Sequence, residues 1–191
     1  GIGGVVDLRS RSAFDLTENT SSVGAEFGSH DYVAGSASTA FTQDRLGVTV
    51  SGTAMETDND RDNDHYRSQR VSSRVDYLLT DTLSLEFVGQ YDNTDKELPG
   101  HTVEPTPYDE QDSEDWLVSP GIRYATDELT VHLFYSYSES DIDLDQVEEA
   151  FVPGSWPPIS LGFFPVSNSS KVESDEVNLQ VDYTVTDGIL L

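Results

Sequence analysis

The sequence predicts an all-β chain, an antiparallel up-and-down meander that forms part of a transmembrane β-barrel. A repeated turn is the first of three observations behind this. A Thr-Asp pair is followed two residues later by an aliphatic residue at Thr80-Asp81-Thr82-Leu83, Thr126-Asp127-Glu128-Leu129 and Thr186-Asp187-Gly188-Ile189, with Gln43-Asp44-Arg45-Leu46 as a looser fourth. Asp and Thr side chains hydrogen-bond the nearby backbone and stabilise a chain reversal. The second observation is alternation of apolar and polar residues between the turns, the signature of a half-buried strand. The third is asymmetry. Tight turns close one end of the strands and long acidic stretches connect the other, as in barrels that cross an outer membrane.

The strands follow in order. Weaker alternation occupies 16–28, 32–42 and 46–57. Before Thr80, Val71, Val75, Tyr77 and Leu79 share a face opposite Arg70, Ser72, Arg74 and Asp76. From Leu83, the set Leu83, Leu85, Phe87, Gly89 and Tyr91 opposes Ser84, Glu86, Val88, Gln90 and Asp92. A weaker strand covers 114–125, and Leu129, Val131, Leu133, Tyr135 and Tyr137 then alternate with Thr130, His132, Phe134, Ser136 and Ser138. Val177, Leu179, Val181 and Tyr183 complete eight strands, and a ninth begins at Ile189. A tilted membrane strand needs ~9–11 residues, against ~5–6 for a typical globular strand; most of these match the former. Phe41, Tyr77, Tyr124 and Tyr183 recur just before the turns, where an interfacial girdle of amphipathic rings is expected. A soluble sandwich would also alternate, but its apolar face must pack on a second sheet. Here medium-sized apolar faces oppose charged ones, as lipid on one side and a wet lumen on the other require.

Composition narrows the classes further. The 191 residues include 36 acidic and 10 basic side chains, a formal charge of -26, and a hydrophobic share of 36%. Such values also occur in disordered acidic chains, so the periodicity carries the assignment of a fold. Without cysteine there is no disulfide framework and no thiolate metal site. No run approaches the ~18 apolar residues of a membrane helix. An exported protein needs a signal segment, and Gly1 opens no such segment, so the chain is expected to be an internal piece of a longer one. Its charge would repel nucleic-acid phosphates, which excludes nucleic acid as a partner.

Three groups of residues are candidates for chemistry. Asp58, Asp60, Asp62 and Asp64, interleaved with Asn59 and Asn63, offer the hard oxygens that Ca²⁺ takes from flexible loops. The EF-hand pattern fails, because Asn63 stands where glycine is required and no bidentate Glu follows; a solvated acidic run is the plain alternative. The apolar stretch from Phe151 through Trp156 to Phe163, Phe164 and Pro165 lies in an acidic connection near 140–173. It reads either as a ligand-contacting lid or as a long loop packing on its neighbours. Arg70, Arg74 and Arg123 are expected to face the lumen and pair with wall residues, a plug or an anionic ligand. The histidines His30, His65, His101 and His132 lack metal spacing, and no nucleophile elbow, zinc-protease motif or phosphate loop is present. An enzyme is therefore not expected.

The opening Gly1-Ile2-Gly3-Gly4-Val5-Val6-Asp7-Leu8-Arg9-Ser10-Arg11 resembles the last plug strand of TonB-dependent outer-membrane receptors. Ala25-Glu26-Phe27-Gly28-Ser29-His30-Asp31-Tyr32 is similar to that family's first barrel hairpin, and Asp92-Asn93 through Leu98-Pro99-Gly100 to the segment that often follows its fifth strand. The resemblance implies the end of a plug domain over 1–13 and the N-terminal part of a barrel of about twenty-two strands over 14–191. It further implies energy-coupled uptake of a scarce ligand, such as a ferric siderophore or cobalamin, in the outer membrane of a Gram-negative bacterium. The partners would then be outer-membrane lipid, a TonB-type coupling protein and a small metal chelate or cobalamin. The Asp58–Asp64 run resembles the calcium-ordered loop of the cobalamin-transporting branch. The rival readings are a calcium-binding surface adhesin or structural β protein, and a passive porin.

Overall fold

The computed structural model describes residues 12–59, 61–101, 104–105, 108–151, 153 and 160–184. One eight-stranded antiparallel sheet dominates them. Its strands are β1 (Thr20–Phe27), β2 (Val33–Gln43), β3 (Leu46–Asp58), β4 (His65–Leu78), β5 (Leu83–Glu97), β8 (Glu110–Ala125), β9 (Leu129–Phe151) and β10 (Ser160–Tyr183). Their order in the sheet, β1-β2-β3-β4-β5-β8-β9-β10, is that of a meander. The two-residue strands β6 (Gly100–His101) and β7 (Glu104–Pro105) pair separately within the β5–β8 connection. The only helical element among the described residues is a single 3-10 turn, Ala13–Asp15.

The turn end is closed by threonine. Thr80 Oγ1 accepts the Leu83 amide at 3.0 Å and the Thr82 amide at 3.3 Å. Thr126 Oγ1 accepts the Leu129 amide at 3.1 Å, while the Thr126 amide donates to the Leu129 carbonyl at 2.8 Å. The looser fourth turn works differently. Gln43 pairs directly with Leu46, and Asp44 takes a left-handed φ of 52°, a conformation that Asp and Asn tolerate better than most residues. The Thr186–Ile189 turn and the ninth strand lie outside the described residues.

The strand ends on this side step down progressively in register, from Thr20 opposite Ala40 in β1 to Tyr183 opposite Leu129 in β10, and the strands lengthen along the sheet, from 8 residues in β1 to 24 in β10. This corrects the expectation of long loops near 93–114 and 140–173. Most of those residues continue the strands, and β9 and β10 pair as far as Phe151 and Ser160. The acidic stretch still alternates: Asp141, Asp143 and Asp145 share one side of β9 and Ile142 and Leu144 the other. A strand of 24 residues spans ~80 Å, far beyond what a bilayer requires.

The chain enters the sheet across its polar side. Ser12 caps the 3-10 turn, its Oγ accepting the Phe14 amide at 3.2 Å. Ala13 is buried, and the Phe14 ring lies over Gly47, where an added Cβ would stand 2.9 Å from a ring carbon. Gly47→Ala is therefore expected to push Phe14 off the sheet and cost ~1–3 kcal/mol, the usual penalty for overpacking. Denaturant unfolding of the full-length protein would measure it. Of the expected plug end, 1–11 lies outside the described residues.

Candidate functional site

Strand register sorts the side chains onto two faces of opposite character. Val48, Val75, Phe87 and Pro120 form one cross-strand row, and Leu46, Tyr77, Leu85, Ile122 and Leu133 the next. Tyr91 and Trp116 pair at the top of this apolar band, their ring centroids 4.3 Å apart. Phe41, Tyr77, Tyr124 and Tyr183 lie on the same face near the turns. The band is exposed along its whole width, from Val23 at 88% to Val181 at 58%, with Phe87 at 43%. On the other face, the carboxylates Asp76, Glu86 and Asp92 are only 3%, 9% and 8% exposed. A water-soluble sheet buries its apolar side; this one exposes it and buries charge.

The buried charges form a chain across β4, β5 and β9. Ser12 Oγ donates to Asp76 Oδ2 at 2.6 Å, and Arg74 Nε donates to both Asp76 oxygens at 3.0 Å. Arg74 Nη2 lies 3.1 Å from Glu86 Oε2, which in turn stands 3.2 Å from His132 Nε2. A buried carboxylate is tolerable only when paired and hydrogen-bonded in this way. Arg70 Nε donates to Asp92 Oδ1, and Gln90 Nε2 donates to the other oxygen at 2.6 Å. Arg123 lies on the same face, in register with Ser84 and His132, and forms no ion pair among the described residues. The three arginines thus share one face, and two of them are already engaged by wall carboxylates.

Above Asp92 the polar face opens into a shallow cleft of about 230 Å³ lined by Gln90, Asp92, Asp115, Leu117, Ser138 and Ser140. Asp115 is directly opposite Asp92 on one side and Ser140 on the other. A row of hydroxyl and amide groups crosses the sheet at this level: Ser22, Ser38, Ser51, Ser72 and Gln90 oppose one another in turn. The cleft can accept hydrogen bonds at Asp115 and exchange them at the serines.

At the far end of the hairpin β3–β4, two of the candidate calcium residues, Asp58 and Asp64, have protein partners. Asp58 Oδ1 lies 2.6 Å from His65 Nδ1, and Asp64 accepts the Asn59 amide group through its carbonyl at 3.0 Å and its carboxylate at 3.2 Å. Asp62 is exposed, and Asp60 lies outside the described residues. Asn63 takes a left-handed φ of 57° and reaches across to the carbonyls of Leu98 and Asp109, at 3.2 and 3.1 Å. Among the described residues no three metal-ligating side chains converge on a common centre. The hydrogen bond to Asp58 raises the His65 pKa, partly opposed by burial and reinforced by Glu56 and Glu97. A raised histidine pKa adds stability below its ordinary value and loses it as pH rises through the raised one. Amide protection factors at Asn59, Asn63 and Asp64, taken relative to the unstructured chain at the same pH, are expected to fall on going from pH 6 to pH 9, and His65→Gln to remove that fall.

On the apolar side, above Trp116, the band gives way to carboxylates in register. Asp95, Asp112 and Asp143 form one row and Glu97, Glu110 and Asp145 the next. Like charges directly opposite destabilise strand pairing. Burial raises the Asp112 pKa, with Asp95, Asp143 and Asp145 adding to the effect. The folded state therefore binds the proton more tightly than the unfolded one. Stability is greatest below the ordinary carboxylate value and falls as pH rises through the raised one. Asp112→Asn is expected to slow amide exchange in β8 and β9 at neutral pH, with the difference shrinking in high salt.

The remaining candidates separate. Phe163 and Phe164 lie on β10 rather than in a loop, opposite Glu149 and Glu148, and as neighbours in a strand they point to opposite faces. Both are exposed, so they do not form one lid surface. Trp156 lies outside the described residues. Glu86, His132, Ser12 and Asp115 were not singled out from the sequence, although a charge in the middle of a long strand, as at Glu86, is a usable signal. No family model matches the chain, and no curated protein matches it in sequence.

Proposed function

We propose that the chain is part of the transmembrane barrel of a TonB-dependent receptor, importing a scarce ligand such as a ferric siderophore or cobalamin across an outer membrane. One observation carries the membrane part: the exposed apolar band opposite a face of buried charge. Tyr124 and Trp116 bound that band on β8 and stand eight residues apart. At a strand tilt of 35–45° this corresponds to ~20 Å, close to the apolar height of outer-membrane barrels. The short turns at one end and the tall strands at the other fit periplasmic turns and an extracellular extension. The crossing of Ser12–Asp15 over the polar face at the turn end supports a preceding segment that enters the lumen.

The receptor assignment rests on the resemblance of Gly1–Arg11 and of the ordered barrel segments. Uptake of defined ligands by cells carrying the full-length protein, before and after the proton gradient is collapsed, tests it. Accumulation that stops with the gradient is the expected result. Accumulation that continues unchanged rejects energy coupling and favours a passive porin.

A further inference from the structure

We propose that the bilayer crosses this sheet obliquely, with its outer boundary along the line of Trp116, Tyr137 and Tyr135. Glu114, Glu139 and Asp175 then stand at the lipid headgroups, although strand pairing sets them at three different heights. This rests on the membrane reading above and places the lipid on the wall strand by strand.

Register rows run at right angles to the strands. A bilayer lying along them would meet one row everywhere, and the side chains forbid that. Asp95, Asp112 and Asp143 share a row with Phe27 and Val33 on β1 and β2. A boundary above this row sinks carboxylates into hydrocarbon, which is costly; one below it leaves the exposed Phe27 and Val33 in water. An oblique boundary avoids both. On the face of the apolar band, the first charged or amide side chain toward the tall end is Glu56 on β3, Gln69 on β4, Asn93 on β5, Glu114 on β8, Glu139 on β9 and Asp175 on β10. Gln69, Asn93 and Glu114 pair in turn, one row below Glu56. Glu139 is lower, opposite Trp116, and Asp175 lower again, opposite Tyr137. The turn-side limit descends in parallel, from Phe41 opposite Val48 to Leu129 opposite Tyr183. The row of Glu56 reaches β10 at Ser169, about six residues above Asp175. Over the five strand spacings from β3 to β10, at ~3.4 Å per residue and ~4.8 Å per strand, that drop is a tilt of ~40°. Strands of outer-membrane barrels tilt by ~35–45°.

Hydrogen bonds of the aromatic side chains trace the same line independently. Trp116 Nε1 donates to Glu114 Oε1 at 2.9 Å, Tyr137 Oη donates to Glu139 Oε2 at 2.7 Å, and Tyr135 Oη donates to Asp175. In each case the acceptor lies one row nearer the tall end than the ring, and each successive pair stands one row lower than the last. An apolar ring with its polar tip turned outward is what a membrane interface favours. Beyond the line, β9 and β10 continue to Phe151 and Ser160, so the outer rim of the wall rises from the membrane surface at β1 to its full height at β10.

The test is depth-dependent fluorescence quenching in vesicles whose lipids are brominated along the acyl chains. Single cysteines carrying a bimane label are placed in the full-length protein with no other cysteine present. Val33 and Ser169 share a register row, as do Ala25 and Lys171. Val33→Cys and Ala25→Cys are expected to lose most of their fluorescence to the brominated lipid, and Ser169→Cys and Lys171→Cys to keep theirs. Val75→Cys in mid-band should be quenched and Ser72→Cys on the polar face should not. Using two pairs means that one misfolded variant does not decide the result. Quenching that is equal within each pair, with Val75→Cys quenched, overturns the oblique boundary and leaves the membrane reading standing. No quenching at any of the positions, Val75 included, rejects the membrane reading and this inference with it.

Discussion

Phe87→Arg in the full-length protein is expected to destabilise the folded state in lipid vesicles by ~2–4 kcal/mol, the cost of a cation at the bilayer midplane. Phe87 is the middle residue of its apolar set on β5, between Leu83 near the turn and Tyr91 at the upper aromatic pair. It is flanked in register by Val75 and Pro120. Were this face in water, exchanging a side chain already 43% exposed would change stability by only ~0.5 kcal/mol. The two environments therefore predict outcomes that differ several-fold. Ser72→Arg, on the polar face of the neighbouring strand, is the matched control and should have little effect. Urea unfolding from vesicles reads both, and equal small changes on the two faces would reject lipid contact with the band.

Arg74→Met is expected to cost ~3–5 kcal/mol, because it leaves Asp76 and Glu86 buried without their shared cation. His132 and Ser12 each hold one end of the chain, and neither can replace a guanidinium that serves both carboxylates. The triple variant Arg74→Met, Asp76→Asn, Glu86→Gln should be markedly less destabilised than Arg74→Met alone, since it removes the uncompensated charges together with their partner. Additive losses would show that the residues act separately. A small loss for Arg74→Met itself would mean that water reaches the carboxylates and that the buried chain does not hold them.

Much of the fold was legible because a strand writes its two faces into every second residue. The eight strands of the sheet correspond to the eight read from alternation and turns, and the parity that put Arg70, Arg74 and Asp76 on one side of β4 is the parity observed. The upper halves of β5, β8, β9 and β10 were misread as loops. Asp, Asn and Ser are depleted in strands and enriched in turns, and that composition outweighed the alternation of Ile142 and Leu144 with Asp141, Asp143 and Asp145. Turn chemistry was half right: threonine closes the reversals at Thr80 and Thr126.

The candidate site was less legible than the fold. The acidic run at Asp58–Asp64 drew attention through its density of oxygens, yet Asp58 and Asp64 turn to His65 and Asn59. The cleft at Asp92 and Asp115 attracted none, because its residues come from strands more than twenty positions apart and meet only through register.

Sequence alone determined which residues share a face, and hence that one side of the sheet is apolar and the other charged. That is a local property, set by the two-residue repeat of the extended backbone. Tertiary structure decided which side is crowded and which is open, which carboxylate faces which arginine, and how far the strands rise beyond the turns. Those depend on pairing between distant segments, where a slip of one residue would turn every side chain to the other face. The inversion of burial, with carboxylates covered and apolar rings exposed, became visible only there.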